Sequence, residues 1–496
     1  MLEISSTNKI IGSTYSAIVP NIYEQFKIDG DAEVFESVAL DYLLTKHSDD
    51  TELIEYIMSL PKRDKRMATI LAIDGDNVLW SKMNSFVNDC VDKMEHIKDI
   101  VKIINQFVKD GEVERKKYGE VMTPITLVRE MLDTLPKEVW SNPNLKWLDP
   151  ANGAGTFPFV VIYKLMNGLK NVEGFEDVEF RYKHIVENMI YTCELQSRNV
   201  ALWLCGVDPK DEYTTNTYWG SFLDDGFDYH MKNVWSVEKF DIIIGNPPYQ
   251  ELSTSDLKSS DQGRVKLWMK FVEKSLNVCD LLLFITPNNW LSATCHLNEV
   301  FKNKLLLSQV DSNYLREEYF KGVGSTFSFY LLSNKKNKSD NVYFLSGKNK
   351  MENDILSFDL FPTKDITIES ISIFEKVQKK LNTNILFTRE KYQLVDNVNL
   401  CISIDRSKNK GFVKLTEDMF STSSYWYKCS SIDEQLILLN NLNTKLYKFL
   451  IKNIRSGMAI VSTINKLPIV NSKKMTDDEL FEFFNLNDDE IKFISK

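Results

Sequence analysis

The sequence predicts an α/β fold. An open, doubly wound parallel sheet lies between a helical amino-terminal region and a carboxyl-terminal α+β region. Two observations carry the sheet. Short apolar runs, Leu145–Asp149, Asn188–Glu194 and Phe240–Gly245, stop abruptly at acids, glycine or proline, as strands buried on both faces do. Helix-patterned stretches alternate with those runs, and a glycine-rich turn joins the first run to its helix, as in β–α–β units. A third observation, the shift from an acidic front to a basic rear, marks off the flanking regions.

The composition, 43% hydrophobic and 26% charged, is ordinary for a globular chain, and 496 residues allow two or three domains with a sizeable core. No apolar run reaches membrane-span length, and Met1 opens no signal peptide, so no membrane association is expected. The seven cysteines show no CxxC or Cys/His ligand spacing, which points to a reduced, intracellular, metal-free protein. A net charge of −10 excludes a uniformly basic coat for nucleic acid but leaves room for a local basic groove.

Residues 1–110 read as helical, with apolar spacing of three and four over Ala32–Leu44 and Val91–Val108. Acidic residues outnumber basic ones here, so this region is a poor primary clamp for DNA. The basic cluster Lys62–Arg66 suits a solvated surface, with phosphate contact as the alternative. Glu114-Arg115-Lys116 has the letters of a nuclease Glu-x-Lys, but it lies in a polar lead-in without a partner strand, and no endonuclease site is read there.

Next, Lys117–Pro124 leads into a helix, with Thr123 expected as N-cap and Pro124 at the first helical position. Val128, Met131, Leu132 and Leu135 form its apolar face. Its open N-terminus can receive a carboxylate, although it also serves simply as a well-capped helix. The strand Lys146–Leu148 then ends at Asp149. Gly153 and Gly155 allow a tight turn, and a helix opens near Thr156. The turn lacks GxGxxG and Gly-Lys-Ser/Thr, so a nucleotide phosphate is poorly supported. An acid at the strand end instead suits a cationic group, such as the ammonium of a methionine moiety.

The second strand-like run ends in Glu194, and in doubly wound folds an acid ending the second strand takes ribose hydroxyls. Residues 172–186 before it read as an inserted polar loop or helix. Ser221 and Phe222 fall where the following strand would end, able to face an adenine edge and ring; Trp219 and Phe222 suit the core equally well. The run Phe240–Ile244 closes at Gly245 and the turn Asn246-Pro247-Pro248-Tyr249. Neither proline donates a backbone hydrogen bond, so the chain leaves the sheet in a stiff extended corner. The Asn246 side chain and the next carbonyl offer two convergent acceptors, which suit a planar NH2 group, and the Tyr249 ring can stack on the heterocycle bearing it. The same turn also serves as a plain strand terminator.

Together these pieces resemble the gamma-class DNA adenine-N6 methyltransferases of restriction-modification and phage type. Gly119–Pro124 looks like the family's amino-terminal cofactor motif, Asp149–Phe157 like its glycine-rich motif and Asn246–Tyr249 like its catalytic motif. The likeness spans roughly residues 115–335. It implies a Rossmann-like sheet binding S-adenosyl-L-methionine. Asn246, Pro247, Pro248 and Tyr249 would be catalytic. The cofactor would be lined by Tyr118, Thr123, Pro124, Asp149, Ala151, Asn152, Gly153, Gly155, Thr156, Phe157, Glu194, Leu195, Ser221, Phe222 and Asn246. It implies double-stranded DNA as partner, a separate restriction endonuclease as a further one, base flipping, and the cytoplasm of a bacterium or phage-infected host. Ser221 departs from the family's usual Asp, and Asn152 from a frequent Cys. Planar amines of RNA or protein, a non-catalytic DNA-binding subunit and a fused endonuclease remain as other readings.

Downstream, Leu267–Leu276 reads as a flanking helix, Leu281–Pro287 as another buried strand and Phe327–Leu332 as the reversed hairpin strand of such sheets. Gln250–Gly263 is expected to be a mobile loop that orders over DNA. Lys335–Lys338 marks a boundary. The expected domains are thus a helical 1–110, a catalytic 111–335 and a target-recognition 336–496. In the last, basic residues exceed acidic ones up to about residue 470. Tyr392, Arg406, Lys408, Lys410, Tyr425, Trp426, Tyr427 and Lys428 interleave charge with aromatics as DNA-contacting surfaces do. Lys445–Asn471 resembles endings of related methyltransferases, and a small peripheral helix pair is expected after Met475.

Overall fold

A computed structural model describes residues 123–208, 212–249, 267–291, 295–320, 326–337, 340–353, 361–362, 366–380, 385–387, 401–405, 413–415, 424–454 and 465–495. The expected helices of the amino-terminal region, the clusters at 62–66 and 114–116, Tyr118, the loop 250–263, Tyr392, Arg406, Lys408, Lys410, the side chains of Tyr425 and Trp426, and residues 455–464 lie outside the described residues. Two compact units divide the chain, residues 1–286 and 287–496.

In the first unit, helix α1 (Ile125–Leu132) buries Leu127, Val128, Met131 and Leu132, and Leu135 just beyond it is buried as well. The expected cap is corrected. Pro124, at φ −60° and ψ 141°, is the cap residue, and Thr123 lies one position outside. The Thr123 hydroxyl is committed to a partner far along the chain rather than to the helix. Strand β1 (Trp147–Asp149) follows, buried at every residue. Helix α2 (Thr156–Gly168) opens at the expected residue. The inserted stretch forms α3 (Val178–His184) and a π-helical turn over Ile185–Met189, which delivers β2 (Ile190–Glu194). Helix α4 (Ser197–Val207), β3 (Asn216–Trp219), α5 (Asp225–Asn233), β4 (Phe240–Gly245), α6 (Leu267–Val278) and β5 (Cys279–Pro287) complete the alternation.

The strand order here is β3-β2-β1-β4-β5, and the pairs are parallel: Trp147 faces Ile190 on one side and Ile242 on the other, Tyr191 faces Asn216, and Ile242 faces Leu281. The chain steps outward from β1 to β3, then crosses back to add β4. The order therefore reverses between β1 and β4, and in open α/β sheets ligands bind in the crevice beyond the carboxyl ends at such a point. Leu148, Ile243, Leu282 and Leu283, all fully buried, fill the strands that flank it. Mixed α/β architecture with a Rossmann-like parallel sheet is what the alternating runs predict.

In the second unit, α7 (Asn298–Lys304), β6 (Leu305–Gln309), α8 (Ser312–Glu318), β7 (Phe327–Ser333), β8 (Val342–Ser346) and β9 (Asn349–Asn353) follow in turn. The order is β7-β6-β8-β9, with β7 antiparallel to β6 as the reversed strand requires. Gly347, at φ +56°, makes the two-residue turn of the β8–β9 hairpin. Farther on come α9 (Ile368–Lys380), an antiparallel sheet of β10 (Cys401–Asp405), β11 (Val413–Leu415) and β12 (Ser424–Lys428), then α10 (Ile432–Leu442), α11 (Lys445–Asn453), α12 (Asp477–Phe483) and α13 (Asp488–Ser495). The last two form the expected helix pair, but the pair is not peripheral. Leu480, Phe481 and Phe484 are buried in one cluster with Phe374, Leu446 and Leu450, and Glu490, at 2% exposure, holds Lys376 and Ser372. The acidic surface of these helices masked an apolar face that the core needs.

Candidate active site at the ends of β1, β2 and β4

Three neighbouring strands deliver polar residues to one edge. At the end of β1, the Asp149 carboxylate is buried, and its Oδ1 accepts from the Ala151 backbone N–H at 3.1 Å. Its Oδ2 is also buried and has no hydrogen-bond partner among the described residues. Desolvation pushes its pKa up from 3.8 to about 8; the Ala151 N–H works against this and the charge of Glu194 works with it. A buried carboxylate oxygen without a donor is costly unless a cation or donor arrives.

The glycine turn that follows is held from β2. The Asn152 N–H donates to the Cys193 carbonyl at 3.0 Å, and the Gly153 N–H to Glu194 Oε2 at 2.7 Å. Glu194 Oε1 accepts from the Gln196 N–H at 2.8 Å. Gly155 sits at φ +95°, and a Cβ there would lie 2.5 Å from a ring carbon of Trp203, so both conformation and close packing demand glycine. Thr156 and Phe157, at the start of α2, are buried, and Asn152 is buried with its Nδ2 on the Gly153 carbonyl at 3.1 Å. Ala151 is half-buried and Leu195 exposed.

At the end of β4, Gly245 adopts φ +149°, and a Cβ there would lie 2.8 Å from Asp149 Oδ1. Only glycine lets the two strand ends approach so closely. Gly245 was not among the expected site residues; its signal was its place between a β-branched run and the Asn-Pro-Pro turn. Beyond it, Asn246 Nδ2 donates to Thr123 Oγ1 at 2.9 Å, and the Tyr249 hydroxyl donates to Asn246 Oδ1 at 2.7 Å. Burial holds the Tyr249 phenol above its ordinary pKa, and the Asn246 hydrogen bond opposes that shift. The ring therefore stays neutral and keeps a proton to donate. Pro247 is buried, while Pro248 is exposed on the outer side of the corner.

The structure thus brings together Thr123, Asp149, Asn152, Gly153, Glu194, Asn246 and Tyr249. Ser221 and Phe222 lie just past β3. The Ser221 Oγ accepts from the Leu223 N–H at 3.2 Å, and Phe222 is 1% exposed between Phe227 and Phe271. Lys274, unremarked in the sequence, spans this corner: its Nζ pairs with Asp228 at 2.8 Å and sits 5.3 Å from the Phe222 ring centre. Among the described residues no cluster of His, Cys, Asp and Glu could hold a metal, and no helix is long and apolar enough to cross a membrane.

Known proteins resemble parts of this chain. The Eco57I restriction-modification methylase family model matches residues 195–319, which includes β4 and its Asn-Pro-Pro-Tyr corner. An uncharacterised adenine-specific methylase of Mycoplasma pneumoniae is 25% identical over 273 residues, covering 42% of this chain and 62% of that protein. The chain thus spans about three-fifths of the length of that curated relative. Among solved structures, the methyltransferase subunit of a type I restriction-modification system from Streptococcus thermophilus is 14% identical, with a TM-score of 0.32 and coverage of 56% of each chain. The Type IIL restriction-modification enzyme MmeI, solved with DNA, is also 14% identical, with a TM-score of 0.39 over 74% of this chain and 67% of its own.

Proposed function

We propose that the chain transfers a methyl group from S-adenosylmethionine to the N6 amine of a flipped-out adenine in duplex DNA. It would act as a site-specific methyltransferase of restriction-modification or phage type, with residues 336–496 reading the target. One observation carries the reading: a buried carboxylate with an orphaned oxygen lies against the glycine that opens an Asn-Pro-Pro-Tyr corner, which would set a donor site beside an acceptor site. The match of residues 195–319 to a restriction-modification methylase family supports it.

The residues fit the cofactor on chemistry. Asp149, with its orphaned oxygen, would hold the ammonium of the methionine end, beside the turn Gly153–Thr156. When bound, S-adenosylmethionine supplies an electrophilic methyl on a sulfonium. The remaining steps belong to the chain. Tyr249 stacks on the extruded base, which offsets part of the few kcal/mol that flipping costs; stacking on an aromatic contributes about 1–3 kcal/mol. Asn246 Oδ1 and the Pro247 carbonyl accept the two amine hydrogens. An adenine amine is conjugated with its ring and weakly nucleophilic. Acceptors placed off the ring plane favour a pyramidal nitrogen and free its lone pair as charge develops. The Tyr249 hydroxyl, which bonds Asn246 Oδ1 in the structure, yields that oxygen to the amine.

Incubating the full chain with labelled cofactor and duplex DNA, structured RNA or a release-factor protein tests the acceptor class. Label in adenine of DNA is expected; label only in RNA or protein replaces the adenine by a guanine or glutamine amine. Asn246→Ala and Tyr249→Ala should each lower turnover on the order of a hundredfold or more while cofactor binding persists. Wild-type turnover in both would overturn these roles.

A further inference from the structure

We infer that Thr123 is a positioning residue for the transfer step: it anchors the Asn246 amide while Tyr249 lets go of it. The inference rests on the reading above that Asn246 accepts the amine, and it gives Thr123, expected as a cofactor contact, a role on the catalytic side chain.

The structure shows a chain of three groups. Thr123 Oγ1 accepts from Asn246 Nδ2 at 2.9 Å, and Asn246 Oδ1 accepts from the Tyr249 hydroxyl at 2.7 Å. Both ends of the amide are therefore held, one from the lead-in to α1 and one from the corner itself. The two holds differ in permanence. An incoming NH2 group needs Oδ1 as acceptor, so the Tyr249 hydroxyl must leave it. The Thr123 bond lies at the other end of the amide and competes with nothing the substrate brings. After the exchange it still defines the amide plane and keeps Oδ1 aimed at the amine.

Thr123 is well fixed for this task. It is buried, and Pro124 behind it has a locked φ before the helix begins. Without the hydroxyl, the amide nitrogen loses its bond to Thr123 at the moment Tyr249 departs. Misaim of a catalytic group costs rate rather than binding.

The test compares Thr123→Val with Thr123→Ser at saturating cofactor and DNA. Valine keeps the shape and removes the acceptor; serine restores it. Thr123→Val is expected to lower kcat roughly tenfold, the worth of one hydrogen bond, with Thr123→Ser recovering most of it. Unchanged kcat in Thr123→Val, or a rise confined to the cofactor KM, would sink the inference, as would a serine variant no better than valine. Crystal structures of wild type and Thr123→Val read the amide directly: displacement of Asn246 is expected, and an unmoved amide overturns the role. If the wild type methylates no substrate, the proposed function fails on its own, while the crystal comparison still decides whether Thr123 holds the amide.

Discussion

The ends of β1 and β2 carry two acids in adjacent parallel strands, and the two are treated in opposite ways. Asp149 is 2% exposed and Glu194 is 7% exposed, so both carboxylates are out of water. Glu194 is engaged at both oxygens, by the Gly153 and Gln196 backbone N–H groups. Asp149 has one oxygen on the Ala151 N–H and one with no donor among the described residues. Burial alone therefore does not identify a binding residue. A buried acid with its donors in place braces a turn. A buried acid lacking one keeps an oxygen open to the cation of the proposed function, and the charge of its braced neighbour raises its pKa further.

That contrast can be broken by mutation. The largest expected effect is on the brace: Glu194→Ala strands two backbone donors. At about 1–3 kcal/mol for each group left unsatisfied, urea unfolding should show a loss of about 2–6 kcal/mol. A variant as stable as wild type would erase the distinction. Asp149→Asn should instead spare the fold and weaken cofactor binding roughly ten- to hundredfold by calorimetry. Its pH dependence sharpens the point. A carboxyl raised from 3.8 to about 8 on folding favours the fold while protonated, a contribution intact below 3.8 and lost as pH climbs through about 8. A cationic ligand prefers the ionised form, so affinity should rise with pH toward about 8, at most tenfold per unit, and flatten in Asp149→Asn. The smallest effect is the coupling: Glu194→Gln should move that midpoint to lower pH, because it removes the neighbouring charge.

The parallel strands were legible because both their faces are buried, so apolar content and abrupt stops mark them without any partner information. β1, β2, β4 and β5 all lie on the expected runs. What stayed hidden was non-local. The Thr123 hydroxyl looked like a helix cap because caps are local, whereas its partner is 123 residues away. The π-turn at Ile185–Met189 shortens the expected strand at Asn188, since a helical backbone can bury apolar residues as well as a strand does. Phe222 suited either a ligand face or the core, and its contacts with Phe227 and Phe271 are core contacts that pattern alone cannot supply. Asp149, Gly153, Glu194, Asn246 and Tyr249 are all named from the sequence, but not the Gly153–Glu194 and Tyr249–Asn246 hydrogen bonds. Spacing shows which strand ends carry polar groups, not which atoms meet.

The close approach at Gly245 sets one wall of the acid's surroundings. A side-chain carbon at that position would sit 2.8 Å from Asp149 Oδ1, so the bare backbone of residue 245 is what covers that side of the carboxyl group. Burial of this kind raises the acid's pKa to about 8, which favours its protonated form at neutral pH. A methyl group at residue 245 would be strained at φ +149° and would press on Asp149 Oδ1, so the carboxyl group would have to shift.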